Sequence, residues 1–159
     1  MTGNYSLYAI PLYWTLAMYP HAYASGLIKK ANNNRYDNAN PKSVSTAEQY
    51  RKSVPSDCFA RYERGEAAHR NMLENAPLFI GAVIVANMAR LDASKYGADL
   101  TPAGTLNLAI GSYIGLRTLY IWQYINVQRQ RYSYLRSVNW AVSTGILFWI
   151  FVKAGNVLF

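Results

Sequence analysis

Glu66, Arg70 and Glu74 recur every fourth residue in this 159-residue chain. On a helix, residues four apart are neighbours, so these side chains can form a charge ladder along one face. Asn71 precedes Glu74 by three residues and borders that face; His69 lies beside it in the same stretch. Farther on, Arg117, Tyr120, Tyr124 and Arg131 fall at i, i+3, i+7 and i+14, the spacing of one stripe on one long helix. Arg136 and Ser137 follow, with Trp140 one turn beyond on the face of Arg136. Guanidinium groups hold carboxylates through paired hydrogen bonds, and phenols donate to anions or thiolates. Such a set suits a polyanionic, hydrogen-bond-rich small molecule beside a lipophilic one held by apolar helices. Taken alone, the ladder fits a structural ion-pair network equally well.

Other chemistries find no residues. His21 and His69 are the only histidines, and the single Cys58 is far from both in sequence, so no metal set forms. There is no glycine-rich phosphate loop, nucleophile elbow or Ser/His/Asp combination. Cys58 lies in a polar connector with no helix start beside it and reads as an ordinary cytosolic thiol.

The elements that must carry these groups are apolar spans. The chain is 52% hydrophobic and only 15% charged, against about 25% charged for an average soluble domain. A mean hydropathy of −0.07 hides strong segregation. Residues 1–28 carry no charge, whereas residues 29–74 hold nine Lys/Arg and six Asp/Glu. A membrane core needs about 20 mostly apolar helical residues. Four runs meet that length, at about 5–28, 63–89, 101–128 and 137–159. The expected fold is therefore all-α, an integral membrane four-helix bundle forming a single domain over residues 1–159. A signal peptide would place basic residues ahead of its apolar run, whereas Lys29 and Lys30 follow the first one here. Pro11 and Pro20 are tolerable in a spanning helix. Pro102 suits a first helical turn, and Pro77 should bend the second span.

The connectors carry a sign. Loop one, residues 29–62, is long and polar, with turn signals at Asn32-Asn33-Asn34 and Ser53-Val54-Pro55-Ser56. From Lys29 to Glu63 there are seven Lys/Arg, and loop three, about Val127 to Arg136, has three Arg and no acid. Loop two, Arg90 to Leu100, is balanced, with two Lys/Arg and two Asp. The positive-inside rule puts loops one and three in the cytosol and both termini on the luminal side. The net charge of +8 flanks spans and forms no basic helix face, so no nucleic-acid partner is expected.

The stretch Glu63-Arg64-Gly65-Glu66-Ala67-Ala68-His69-Arg70-Asn71-Met72-Leu73-Glu74-Asn75-Ala76-Pro77 resembles the helix-two signature of the MAPEG family, the membrane-associated proteins in eicosanoid and glutathione metabolism. Arg117-Thr118-Leu119-Tyr120-Ile121-Trp122-Gln123-Tyr124 is similar to the family's helix-three pattern, and Leu135-Arg136-Ser137 to the opening of helix four. The resemblance covers the whole chain. It implies a homotrimer with sites between subunits near the cytosolic face of the endoplasmic reticulum membrane, and glutathione as cofactor. It implies Arg70, Asn71, Glu74 and His69 as glutathione contacts from helix two, with Arg117, Tyr120, Tyr124 and Ser137 from helices three and four. Arg136 or Arg131 would stabilise the thiolate, with Tyr124 beside it.

Two features depart from the family pattern. Ala67 stands where many members carry an arginine that contacts glutathione. The Tyr124–Arg136 segment is longer than in the prostaglandin-synthase branch, and Arg131 has the spacing of the leukotriene-synthase branch. Loop one's Asp37-Asn38-Ala39-Asn40-Pro41 stretch resembles fungal members, several of them in natural-product pathways. The expected function is a glutathione transferase or peroxidase acting on a lipophilic electrophile in the membrane. One alternative is a glutathione-independent isomerase or cyclase of a hydrophobic intermediate, with Glu74, His69 or Tyr124 moving protons. A further alternative is a non-catalytic protein that presents lipid to a partner.

Overall fold

The computed structural model describes residues 4–92 and 102–159. Among these residues there are five α-helices and no strand: α1 (Ala9–Ala31), α2 (Val44–Ser53), α3 (Ser56–Met88), α4 (Pro102–Asn126) and α5 (Tyr134–Leu158). Single 3-10 turns precede α1 and α5, at Ser6–Tyr8 and Gln130–Tyr132. Thr101 and most of loop two lie outside the described residues.

α1 and α3 form the most extensive helix pair. α1 buries Ala9, Tyr13, Ala17, Pro20, Ala24 and Ile28, a stripe at three- and four-residue steps. α3 answers with Gly65, Ala68, Met72, Ala76, Phe79, Val83 and Ala86. Small residues at the crossing bring the backbones close. A Cβ on Gly65 would stand 2.9 Å from Ala24 Cβ and 3.1 Å from the Pro20 carbonyl oxygen. In the core, Phe79 stacks on Tyr13 at 4.7 Å and on Tyr113 at 4.8 Å, tying α1, α3 and α4 together. The Tyr13 hydroxyl donates to the Met72 carbonyl at 2.6 Å, so this deep phenol is satisfied.

The connector differs from its expected form. Instead of four helices with an irregular loop over residues 29–62, the structure inserts α2 and starts α3 at Ser56. Ser43 caps α2, its Oγ accepting from Thr46 N–H at 3.0 Å. Asp37 accepts from the Ala39 and Asn40 amides and from the Thr46 hydroxyl, closing the preceding turn. Asn33 and Asn34 take the left-handed backbone that reverses the chain after α1. A second apolar cluster then forms from Ala24, Ile28, Tyr50, Val54, Phe59 and Tyr62. Apolar residues sparse in a polar run become a core only when that run folds back onto α1 and α3. This makes loop one a small folded cap over one end of the bundle. Pro77 lies within α3, which is continuous through it.

By length and composition, α5 is the one described helix long and apolar enough to cross a membrane. The other long helices carry tyrosines, glycines and buried polar groups that lower their hydropathy. Their outward faces are nonetheless rich in large apolar side chains, among them Leu12, Trp14, Leu108, Leu119 and Trp122.

Candidate functional site

The site grows from a stack of alternating arginines and tyrosines. Arg117 on α4 lies 4.4 Å from the centre of the Tyr120 ring. Tyr120 meets Tyr124 edge-on at 5.2 Å, and Arg136 at the start of α5 caps Tyr124 at 4.3 Å. The helical spacing of Arg117, Tyr120 and Tyr124 puts the first three on one stripe. The turn between α4 and α5 brings in the fourth. Each cation faces a ring's negative quadrupole, an interaction of about 0.5–2 kcal/mol depending on desolvation.

Arg131 does not join this stack. α4 ends at Asn126, so the expected stripe stops short of it. Arg131 sits in the following 3-10 turn, exposed, 5.8 Å from the Tyr132 ring. Ser137 is exposed on α5. Arg64 closes the helix end by donating through Nε to the Ile125 carbonyl at 3.3 Å, a basic group at a helix C-terminus. The sequence reading gave Arg64 no role, because its partner lies 61 residues away.

Arg117 is fully buried. Its Nη2 donates to Asn71 Oδ1 at 2.8 Å, and its Nε lies 3.3 Å from Met72 Sδ. Nη1 is buried without a hydrogen-bond partner. Asn71 is therefore fixed from inside the bundle, with its oxygen taken and its amide nitrogen left as the donor. Asn139 of α5 reaches Gln123 Oε1 at 3.3 Å and the Leu116 carbonyl at 3.0 Å, locking α5 against the back of the same stripe.

α3 divides its charges differently from the expected ladder. Arg70 and Glu74 are both exposed, and among the described residues neither joins an ion pair. Glu66 turns inward and meets His21 Nδ1 at 2.7 Å. Glu74 thus does not pair with Arg117, and Glu66 does not pair with Arg70. The cause is rotational. Residues 66, 70 and 74 advance about 40° per step around the helix, so the first faces α1 and the last faces outward. His69 lies on the α1 side, its Nδ1 2.8 Å from the Ala17 carbonyl and its Nε2 3.4 Å from Lys42 Nζ. The structure brings Asn71, Arg117, Tyr120, Tyr124 and Arg136 together, and places Arg70 and Glu74 on the adjoining outward face. It sets His69 apart from them.

Next to α4 lies a groove of about 480 Å³ between α1 and α4, lined by Leu16, Tyr19, Tyr23, Ile121, Trp122 and Ile125. It is mostly apolar and half open, with the size of a pocket for a small lipophilic molecule. Among the described residues, no group of His, Cys, Asp or Glu has the geometry to hold a metal ion.

The MAPEG family model matches residues 7–156 of the chain. No curated protein and no solved structure gives a match.

Proposed function

The chain belongs to the MAPEG family, and from that premise we propose that it is a membrane-embedded, glutathione-dependent transferase or peroxidase acting on a lipophilic electrophile. Membership supports the membrane setting and the broad class. The observation that carries the finer reading is the stack of Arg117, Tyr120, Tyr124 and Arg136, which begins at Asn71 and ends in a half-buried guanidinium.

A tripeptide with two carboxylates suits the exposed Arg70 and the half-buried Arg136, with the Asn71 amide nitrogen as a further donor. Arg70, Asn71 and Glu74 would hold glutathione from α3, with Arg117, Tyr120, Tyr124 and Ser137 around it. Glutathione supplies a nucleophilic thiol. Lowering a thiol pKa by two units takes about 2.7 kcal/mol of differential stabilisation, which one arginine in a partly desolvated pocket can provide. Arg136 suits that task better than Arg131. It is half-buried and held against Tyr124, whereas Arg131 is exposed. The apolar groove between α1 and α4 would take the lipophilic partner.

The same reading includes a homotrimer in the endoplasmic reticulum membrane, with the cap and loop three cytosolic. Arg70 and Glu74, exposed on one chain, then gain neighbours at the subunit interface. A glutathione-independent isomerase or cyclase is the second reading, favoured by Ala67 on that outward face in place of an arginine. A purely lipid-presenting role would leave Arg136, held against Tyr124, and the exposed Arg70 without an anion to bind.

Glutathione at millimolar concentration should raise the melting temperature of the detergent-solubilised protein. Saturation to about 100 times Kd corresponds to about 2.7 kcal/mol. No shift with glutathione, together with no conjugation of an aryl chloride, would sink the reading.

A further inference from the structure

The cap encloses a polar hollow of about 430 Å³ that shares no residue with the arginine–tyrosine stack. One wall is the chain reversal after α1, with Asn32, Arg35, Tyr36 and Asp37; the other is α2, with Gln49 and Tyr50. Both walls are braced. Asn32 Nδ2 donates to the Arg35 carbonyl at 3.0 Å, and the Asp37 amide donates to the Tyr50 hydroxyl at 2.7 Å. The Tyr36 and Tyr50 rings stack at 5.9 Å and join the two walls. A hollow fixed in this way gives up little freedom when a ligand enters.

Its charge is positive. Arg35 is exposed, and among the described residues it joins no ion pair. Lys29 Nζ stands 5.3 Å from the centre of the Tyr36 ring. Lys52 follows Gln49 by three residues on α2, which puts it at the rim of the same face. Lys30 and Arg51, both exposed, add to the field. Against these cations stand Glu48 and Asp37, and the Asp37 oxygens are taken by the Ala39 and Asn40 amides and the Thr46 hydroxyl.

The position of the hollow names its surroundings. α1 has 23 residues, about 35 Å of helix, against a hydrocarbon core of about 30 Å. The charge-free run of this helix ends at Lys29 and Lys30. The hollow begins at Asn32, so it lies at the depth of lipid headgroups.

We propose that this hollow is a binding site for the phosphate group of an anionic phospholipid. The Arg35 guanidinium suits paired hydrogen bonds to phosphate oxygens. The Gln49 amide adds a donor from the opposite wall, and Lys29 and Lys52 close the rim as point charges. The excess of cations selects a net negative lipid over a zwitterionic one. A headgroup held here touches the reversal after α1 and α2 at once, and so pins the cap to the end of α1. The site is independent of the glutathione reading.

The test titrates the full-length protein in mild detergent with dioctanoyl phosphatidic acid, following melting temperature and counting bound lipid by native mass spectrometry. Saturable stabilisation with one lipid per chain is expected, and dioctanoyl phosphatidylcholine should give neither. Arg35→Gln should weaken binding by about 10-fold. It should leave the lipid-free melting temperature unchanged, because Arg35 is exposed. Gln49→Glu sets a carboxylate on the opposite wall and should weaken binding at least as far. Arg61→Gln removes an exposed cation outside the hollow and should leave binding intact. Equal losses in Arg61→Gln and Arg35→Gln would mean a diffuse basic surface and overturn the site. So would equal stabilisation by phosphatidylcholine, or none by phosphatidic acid. Displacement of the lipid by inorganic phosphate at matching concentration would overturn the lipid assignment in favour of a soluble phosphate ligand.

Discussion

Arg117 and Arg136 are separated by one stack of rings but have different tasks. Arg117 is enclosed and holds Asn71, so Arg117→Ala opens a cavity and leaves the half-buried Asn71 amide oxygen with only the longer 3.4 Å bond from Asn75. A loss of about 2–5 kcal/mol in chemical denaturation is expected. Arg136→Ala removes a half-buried side chain at a helix start. It should change stability by less than about 1 kcal/mol while lowering the glutathione-dependent rate about 100-fold. Equal stability losses would make both arginines structural. Glu74→Ala belongs with Arg136→Ala in stability, because Glu74 is exposed. The helix turns that side chain outward although its neighbours in sequence are largely apolar. Cys58 gives a pH test. Burial, with Asp57 adding to it and Arg61 opposing, pushes its thiol above the ordinary value of 9.0. The native state thus keeps this proton longer than the unfolded chain. The associated stability is full below the unfolded thiol's value and is lost as pH rises through the folded one. Cys58→Ala should flatten the alkaline limb of a stability–pH curve, and native Cys58 should react more slowly with iodoacetamide than unfolded Cys58 at pH 9.

At the scale of elements, the α1–α3 crossing depends on Gly65. Gly65→Val forces side-chain atoms into Ala24 and the Pro20 carbonyl, and overpacking of this kind costs about 1–3 kcal/mol. Thermal unfolding in detergent should show this loss, and Gly26→Ala, where nothing lies within 4 Å, should not. The four long helices were legible from apolar runs bounded by charge clusters. The Arg117–Tyr120–Tyr124 stripe was legible because three- and four-residue periodicity is a local signal. α2 was not, because Tyr50 within it and Val54 just past its end are sparse apolar residues that join a core only with residues of α1 and α3 distant in sequence. The His21–Glu66 pair spans 45 residues and rests on a tertiary crossing, so no local spacing announces it. The turn after Asn126 that favours Arg136 over Arg131 depends likewise on where α4 stops.

For the whole molecule, charge asymmetry between the connectors implies an orientation, and exposed Arg70 and Glu74 imply company. With Cys58→Ala as background, Ser45→Cys on the exposed face of α2 should be labelled by an impermeant maleimide from the cytosolic side of sealed microsomes. Mass measurement in mild detergent should give three chains. Luminal labelling reverses the topology, and a purely monomeric mass removes the interfacial site. The Gly65 crossing and the cap also constrain biogenesis. α3 carries Glu63, Arg64, Glu66, Arg70 and Glu74 ahead of its apolar C-terminal stretch, too polar a load to leave an insertion channel alone at about 2.5–3.5 kcal/mol per deep charge. α1 is already present when α3 emerges, and His21 and the small residues Ala24 and Pro20 wait for Glu66 and Gly65. The two helices should therefore enter the bilayer as a hairpin, with the cap closing behind them before α4 is made. A glycosylation reporter placed after α3 should show efficient spanning when α1 precedes it and poor spanning when α1 is replaced by a polyleucine segment that offers neither His21 nor the close seam.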